Sequence, residues 1–290
     1  MDVYQIVTDR IMELLETGTV PWHKPWNAST GFPRNLVTNK EYKGINIFLL
    51  GSMHYDCPFW LTFKQAADKG GKVRKGEKGT PVVFWKMLDA DNDDPATGKG
   101  PKKIPFLRYY TVFNASQCDD LEIPSFTSSV PNNFNPIQVA SDLVTNMPNP
   151  PDIIHGKTRA CYSPTSDQVQ MPYPKRFIRS EEYYSTLFHE LTHATMHPSR
   201  LNRKCDFATF GDDVYSKEEL VAEMGSAFLC AFSGIENTTI DNSAAYIKGW
   251  LKALKNDKKL IVMAATQAQK ASDYIMNKQI PDEATTKEAA

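Results

Sequence analysis

The chain has 290 residues, enough for one large domain or two ordinary ones. Hydrophobic residues make up 41% and charged residues 23%, a balance expected of a globular protein, and no apolar run approaches the ~18 residues of a transmembrane helix. The net charge of −1 conceals an asymmetry: residues 20–88 hold eleven Lys or Arg against four acids, an excess suited to a polyanion.

In chain order, residues 2–17 read as an amphipathic helix, with Val3, Ile6, Val7, Ile11, Leu14 and Leu15 on one side and Gly18 closing it. Residues 42–52 predict a short helix. Thr62 begins another, with Gln65 completing a capping box and Gly70-Gly71 ending it. Residues 80–88 and 106–113, rich in Val, Phe, Trp and Tyr, predict paired strands, and the acidic, then Gly- and Pro-rich stretch 89–105 is their mobile connection. The Pro-, Ser- and Asn-rich segment 124–136 reads as a linker. Beyond it come a helix at 137–146, short strands at 159–162 and 168–171, and helices at 180–197, 216–234, 242–256 and 258–276. The polar tail, 279–290, is expected to fray. The predicted organisation is therefore two α+β domains, 1–124 and 137–278, the second mainly helical, with 125–136 between them.

The chemistry of the second half rests on His189-Glu190-Leu191-Thr192-His193. On a helix, residues four apart lie one above the other, so both imidazoles point the same way and fit two corners of a zinc tetrahedron. Glu190, next to the first imidazole, is placed as general base. Ser180 is the expected N-cap of this helix. A third ligand is expected from the next helix, which carries Glu218, Glu219 and Glu223. Ser216 and Glu219 have capping-box spacing, which gives Glu219 a structural task. Glu223 lies one turn deeper among Ala222, Met224, Gly225, Ser226 and Ala227, where an acid is costly unless paired or on a metal. Glu223 is therefore the expected ligand and Glu219 the alternative. His197 is read as a histidine at the helix C-terminus. Tyr162 and Tyr215 are candidates to stabilise an oxyanion.

The first half carries a different pattern. In Pro21-Trp22-His23-Lys24-Pro25-Trp26, two tryptophans flank a lysine in a proline-stiffened loop; Arg34-Asn35, Tyr42-Lys43 and Asn46 follow. Aromatic faces stack on unpaired bases while cations follow phosphates, the chemistry of single-strand binding. The glycine-rich turn 70–79 adds Lys72, Arg74, Lys75 and Lys78, whose charges suit phosphate. Five scattered cysteines form no Cys-x-x-Cys pair, and the N-terminus lacks a basic segment followed by an apolar run. These features lead to the expectation of free thiols, no signal peptide and a cytoplasmic location.

These segments, with Trp60-Leu-Thr-Phe-Lys-Gln65, Val112-Phe-Asn114, Tyr162-Ser-Pro-Thr-Ser-Asp167, Ser199-Arg-Leu-Asn-Arg203, Glu218-Glu-Leu-Val-Ala-Glu223, Ala227-Phe-Leu-Cys230 and Trp250-Leu-Lys-Ala-Leu254, resemble in collinear order the ArdC-type antirestriction proteins of conjugative plasmids and phages. The resemblance covers about residues 2 to 277. It implies an N-terminal domain that binds single-stranded DNA, a zincin-like metallopeptidase domain with one zinc per chain, and protection of entering DNA from restriction in a bacterial host. The sequence departs from the family at 194–197, Ala-Thr-Met-His, where an aromatic and a glycine are expected. A protein of the restriction machinery is a possible peptide substrate, and no membrane partner is expected. The alternative reading is a cytosolic zinc metallopeptidase whose basic first half recruits another polyanion or a protein.

Overall fold

The structure is a computed structural model and describes residues 2–23, 31–89, 103–126, 135–203, 217–235 and 243–278. The chain opens with helix α1 (Val3–Glu16). Asp2 caps it by accepting from the Tyr4 amide, and Gly18, at φ 81°, turns the chain away from its end. Strand β1 (Arg34–Asn35), helix α2 (Ile45–Gly51), strand β2 (Phe59–Thr62) and helix α3 (Phe63–Asp68) follow. Thr62 and Gln65 form the expected capping box. After β3 (Lys72–Val73) come the long antiparallel strands β4 (Thr80–Asp89) and β5 (Lys103–Asn114), then β6 (Cys118–Asp119). One sheet has the order β1-β2-β5-β4, and β3 pairs with β6 in a second. Sequence reading missed β1, β2, β3 and β6, which are two to four residues long and too short to show a period.

The second half contains α4 (Pro136–Thr145), β7 (Asp152–His155), β8 (Cys161–Ser163), β9 (Gln168–Met171), α5 (Ser180–Ala194), α6 (Lys217–Ser233), α7 (Ala244–Asn256) and α8 (Leu260–Ile275). The three strands have the order β7-β9-β8, which leaves β8 as the edge antiparallel to β9. The unpredicted β7 supplies the parallel partner of β9. Arg179, not Ser180, occupies the cap position of α5, and the helix ends at Ala194, before His197. The expected cap Ser216, residues 90–102 of the β4–β5 connection, 127–134 of the linker and the tail from 279 lie outside the described residues. Among the described residues no helix is long and apolar enough to cross a membrane.

The largest core draws on both halves of the sequence. Val7, Ile11, Trp22 and Phe48 pack with Leu220, Met224, Phe228, Trp250 and Ile261. The rings of Phe48 and Phe228 stack at 4.8 Å, and Trp22 meets Trp250 edge-on at 6.0 Å. A second cluster joins α4, β9, α5, α6 and α8 through Leu143, Val169, Phe188, Leu229 and Ile275, and holds α5 between the small sheet and α6.

Candidate metal centre

Helix α5 carries His189, Glu190 and His193, and α6 packs along it. That packing needs Gly225. A Cβ there would lie 2.5 Å from Thr192 Cγ2 and 2.7 Å from Thr192 Oγ1, so only glycine admits this approach. Next to Gly225 in the chain, the buried Ser226 hydroxyl donates to the Ser185 carbonyl at 2.8 Å and locks the same interface.

The approach brings His189, His193 and Glu219 together as a set of convergent ligand atoms. The Nε2 atoms of His189 and His193 are 3.1 Å apart. Glu219 Oε2 lies 3.4 Å from His189 Nε2, and Glu219 Oε1 lies 3.6 Å from His193 Nε2. Ligands about 2.05 Å from a tetrahedral metal stand about 3.3 Å from one another, so this triangle fits a small divalent cation. The donor set of two imidazoles and a carboxylate suits it as well.

Glu219 therefore takes the place expected for Glu223. One Glu223 oxygen accepts from Trp22 Nε1 at 2.9 Å and from the Tyr246 hydroxyl. Trp22 Nε1 also donates to the Tyr246 oxygen at 3.1 Å. The premise that an acid at this position needs a partner holds, but its partners are a tryptophan and a tyrosine. Burial pushes the Glu223 carboxyl up to about 7, against the opposing effect of its hydrogen bonds to Tyr246 and Trp22. Burial also works against charge on Glu219, but its hydrogen bond to His189 and the nearby imidazoles outweigh this and hold its carboxyl below the usual range. For His189, burial opposes protonation, yet the hydrogen bond to Glu219 and the charges of Glu190, Glu219 and Glu223 raise it overall.

Glu190, on α5, is 8% exposed and acts electrostatically on strand β8. Its charge is the second cause, after burial, of the raised Cys161 thiol on that strand. Sequence reading missed the support behind His193. Glu218 Oε1 stands 3.4 Å from His193 Nδ1, and Arg203 Nη2 donates to the same oxygen at 2.7 Å and to the Thr192 carbonyl at 2.9 Å. A carboxylate on Nδ1 leaves Nε2 facing the cluster. Tyr162 is held elsewhere, donating to Asp167 at 2.8 Å while Arg200 approaches its oxygen at 3.4 Å; burial, then Asp167, pushes its phenol up to about 12. Arg200 also donates to the Ala194 carbonyl at the end of α5, at 2.7 Å. His197 bonds Ser199, outside the triangle. Tyr215 lies outside the described residues.

The residues expected to meet nucleic acid are dispersed. Trp22 is 0% exposed and cannot stack on a base, because the loop after α1 carries it under α7. Tyr42 and Asn46 are also buried; the Asn46 amide donates to the Val83 carbonyl at 2.7 Å and accepts from the Val83 amide at 2.8 Å. Asn35 caps its own turn by accepting from the Val37 and Thr38 amides. Arg34 pairs with Glu41 at 3.1 Å, and Arg74 with Glu77 at 2.9 Å and Asp119 at 3.4 Å. Lys43 is exposed, 3.8 Å from Asp273. Lys72, Lys75 and Lys78 are exposed, whereas Lys24 and Trp26 lie outside the described residues.

Comparison with known proteins agrees with this architecture. A family model described as the N-terminal domain of anti-restriction factor ArdC matches residues 1–113, and one described as a zincin-like metallopeptidase matches residues 142–267. The crystal structure of the antirestriction ArdC protein from the R388 plasmid, in metal-free form, superposes with a TM-score of 0.74 at 40% identity, covering 97% of this chain and 100% of that one. Its Mn(II)-bound form gives 0.75 at 38% identity, covering 96% and 98%. A DNA primase TraC of Escherichia coli is 39% identical over 97% of this chain, but the chain spans only 28% of that protein's length. The uncharacterized protein y4eC of Sinorhizobium fredii (strain NBRC 101917 / NGR234) is 35% identical over 94% of this chain and 91% of its own. The fold and site define a two-part protein with an ArdC-type N-terminal region and a zincin-like metallopeptidase domain. The chain belongs to the ArdC family of antirestriction proteins.

Proposed function

We propose that this protein binds single-stranded DNA, shields incoming plasmid or phage DNA from host restriction in the bacterial cytoplasm, and carries a zinc-dependent peptidase centre. The convergence of His189, His193 and Glu219 beside Glu190 supports the peptidase reading most strongly. His189, His193 and Glu219 would hold one ion per chain, with Glu218 and Arg203 orienting His193. When bound, zinc supplies Lewis acidity towards a water molecule and a carbonyl. A Glu190 carboxylate oxygen is then the proton acceptor for the attacking water and returns that proton to the leaving amine. The edge strand β8 would receive an extended peptide as an added strand, for which a protein of the restriction machinery is a candidate.

Metal analysis and a protection assay test this reading. The wild-type protein should carry about one zinc per chain, as a tetrahedral site requires. Glu219→Ala and His193→Ala should lose most of it, while Glu223→Gln keeps it. Equal zinc in all variants would remove the site. Glu190→Ala should retain metal and DNA binding, so its performance against a restriction nuclease separates hydrolysis from simple coating of the strand.

A further inference from the structure

Alternation along the β4–β5 hairpin places Thr80, Val82 and Phe84 on the same face as Val112, Tyr110, Arg108 and Phe106. At its inner end this face is core: Val82 and Val112 are buried with Tyr42, Leu50 and Trp60. Towards the outer end it opens. Phe84 is 44% exposed and Phe106 46% exposed, where the solvent side of a sheet ordinarily carries polar residues. Three of the rings, Tyr42, Phe84 and Tyr110, form a continuous series, and Phe106 carries Arg108. Tyr42 and Phe84 lie 6.2 Å apart, Phe84 and Tyr110 5.7 Å, and the exposed Arg108 guanidinium sits 5.7 Å over Phe106. None of these seven strand residues is acidic. The platform is also stiff, because Asn46 occupies both hydrogen-bonding groups of Val83 on the edge strand β4.

We infer that this face, through Phe84, Tyr110, Arg108 and Phe106, stacks the bases of single-stranded DNA. The inference rests on the proposed DNA-binding function and assigns its surface. Exposed π-faces interleaved with a cation, with no carboxylate among them, match an unpaired strand in shape and charge. A duplex hides its base faces, so the surface favours single strands. The platform takes over the stacking role that the buried Trp22 cannot fill.

The test uses the full chain and a fluorescein-labelled oligothymidine, followed by anisotropy. Phe84→Ala and Phe106→Ala should each weaken binding at least about fivefold, as loss of a stacked base predicts, and the double variant more than either. Phe63→Ala, which removes a still more exposed ring elsewhere, should bind as wild type does. Absence of wild-type binding refutes the DNA-binding function itself. Wild-type binding that the hairpin variants retain in full, or a preference for duplex, overturns the platform alone. Photocrosslinking of wild type to 5-iodouracil oligonucleotides provides a readout independent of mutant folding: adducts should map to strands β4 and β5, and adducts confined to other segments overturn the inference.

Discussion

Gly225→Ala isolates the contact on which the metal centre depends. The new methyl would sit 2.5 Å from Thr192 Cγ2 and 2.7 Å from Thr192 Oγ1, about 1 Å inside ordinary carbon contact. Thr192 has little freedom to yield. It is fully buried, it is β-branched, and its hydroxyl donates to the Phe188 carbonyl at 2.7 Å. Overpacking of this kind costs about 1–3 kcal/mol, whereas alanine in place of helical glycine returns about 1 kcal/mol. The rigidity of Thr192 puts the clash at the upper end of that range, so the net loss should be about 1–2 kcal/mol in urea unfolding of the metal-free protein. The helices should also part enough to pull Glu219 from the imidazoles, weakening zinc in a chelator competition by an order of magnitude or more. Thr192→Ala removes both clashing atoms and should cost less in the Gly225→Ala background than in wild type, with a coupling of roughly 1 kcal/mol. A Gly225→Ala protein as stable as wild type, or a Thr192→Ala cost that is equal in both backgrounds, would refute the argument.

Three other outcomes test separate parts of the structure. Glu218→Gln and Arg203→Ala should each lower zinc affinity roughly 10-fold, as loss of a carboxylate behind a ligating imidazole does; unchanged affinity in both removes the pair from the site's support. Because the Glu223 carboxyl is raised from 4.5 to about 7, the folded metal-free protein binds the extra proton between those values, and its stability should fall as pH rises through that window by up to about 3 kcal/mol. Glu223→Gln, which keeps an oxygen acceptor for Trp22 and Tyr246, should remove that component of the pH slope, and an identical slope in both proteins would assign it elsewhere. A fragment of residues 1–128 exposes the faces of α1, Trp22 and α2 that pack on α6, α7 and α8; it should bind a hydrophobic dye and unfold without cooperativity, and a monomeric, cooperatively unfolding fragment would contradict this.

The sequence by itself determined what is local. Apolar spacing at 3–16 and the caps Asp2 and Thr62 specify helices, because capping and periodicity act within one or two turns. His189 and His193 converge for the same reason, being one turn apart on α5. The Val-, Phe-, Trp- and Tyr-rich runs of β4 and β5 were legible too, whereas four-residue β2 and the two-residue strands are too short to read. Tertiary structure alone decided which acid meets the imidazoles. Glu219 and Glu223 are four apart on one helix and share a face, so local spacing cannot separate them. The choice follows from where α6 lies along α5, which the absent Cβ of Gly225 permits against Thr192, and from the arrival of Trp22 and Tyr246 at Glu223. The same long-range packing buried Trp22 and left Phe84 and Phe106 in solvent. An aromatic residue carries no local mark of its final exposure, because burial depends on which distant segment comes to lie over it.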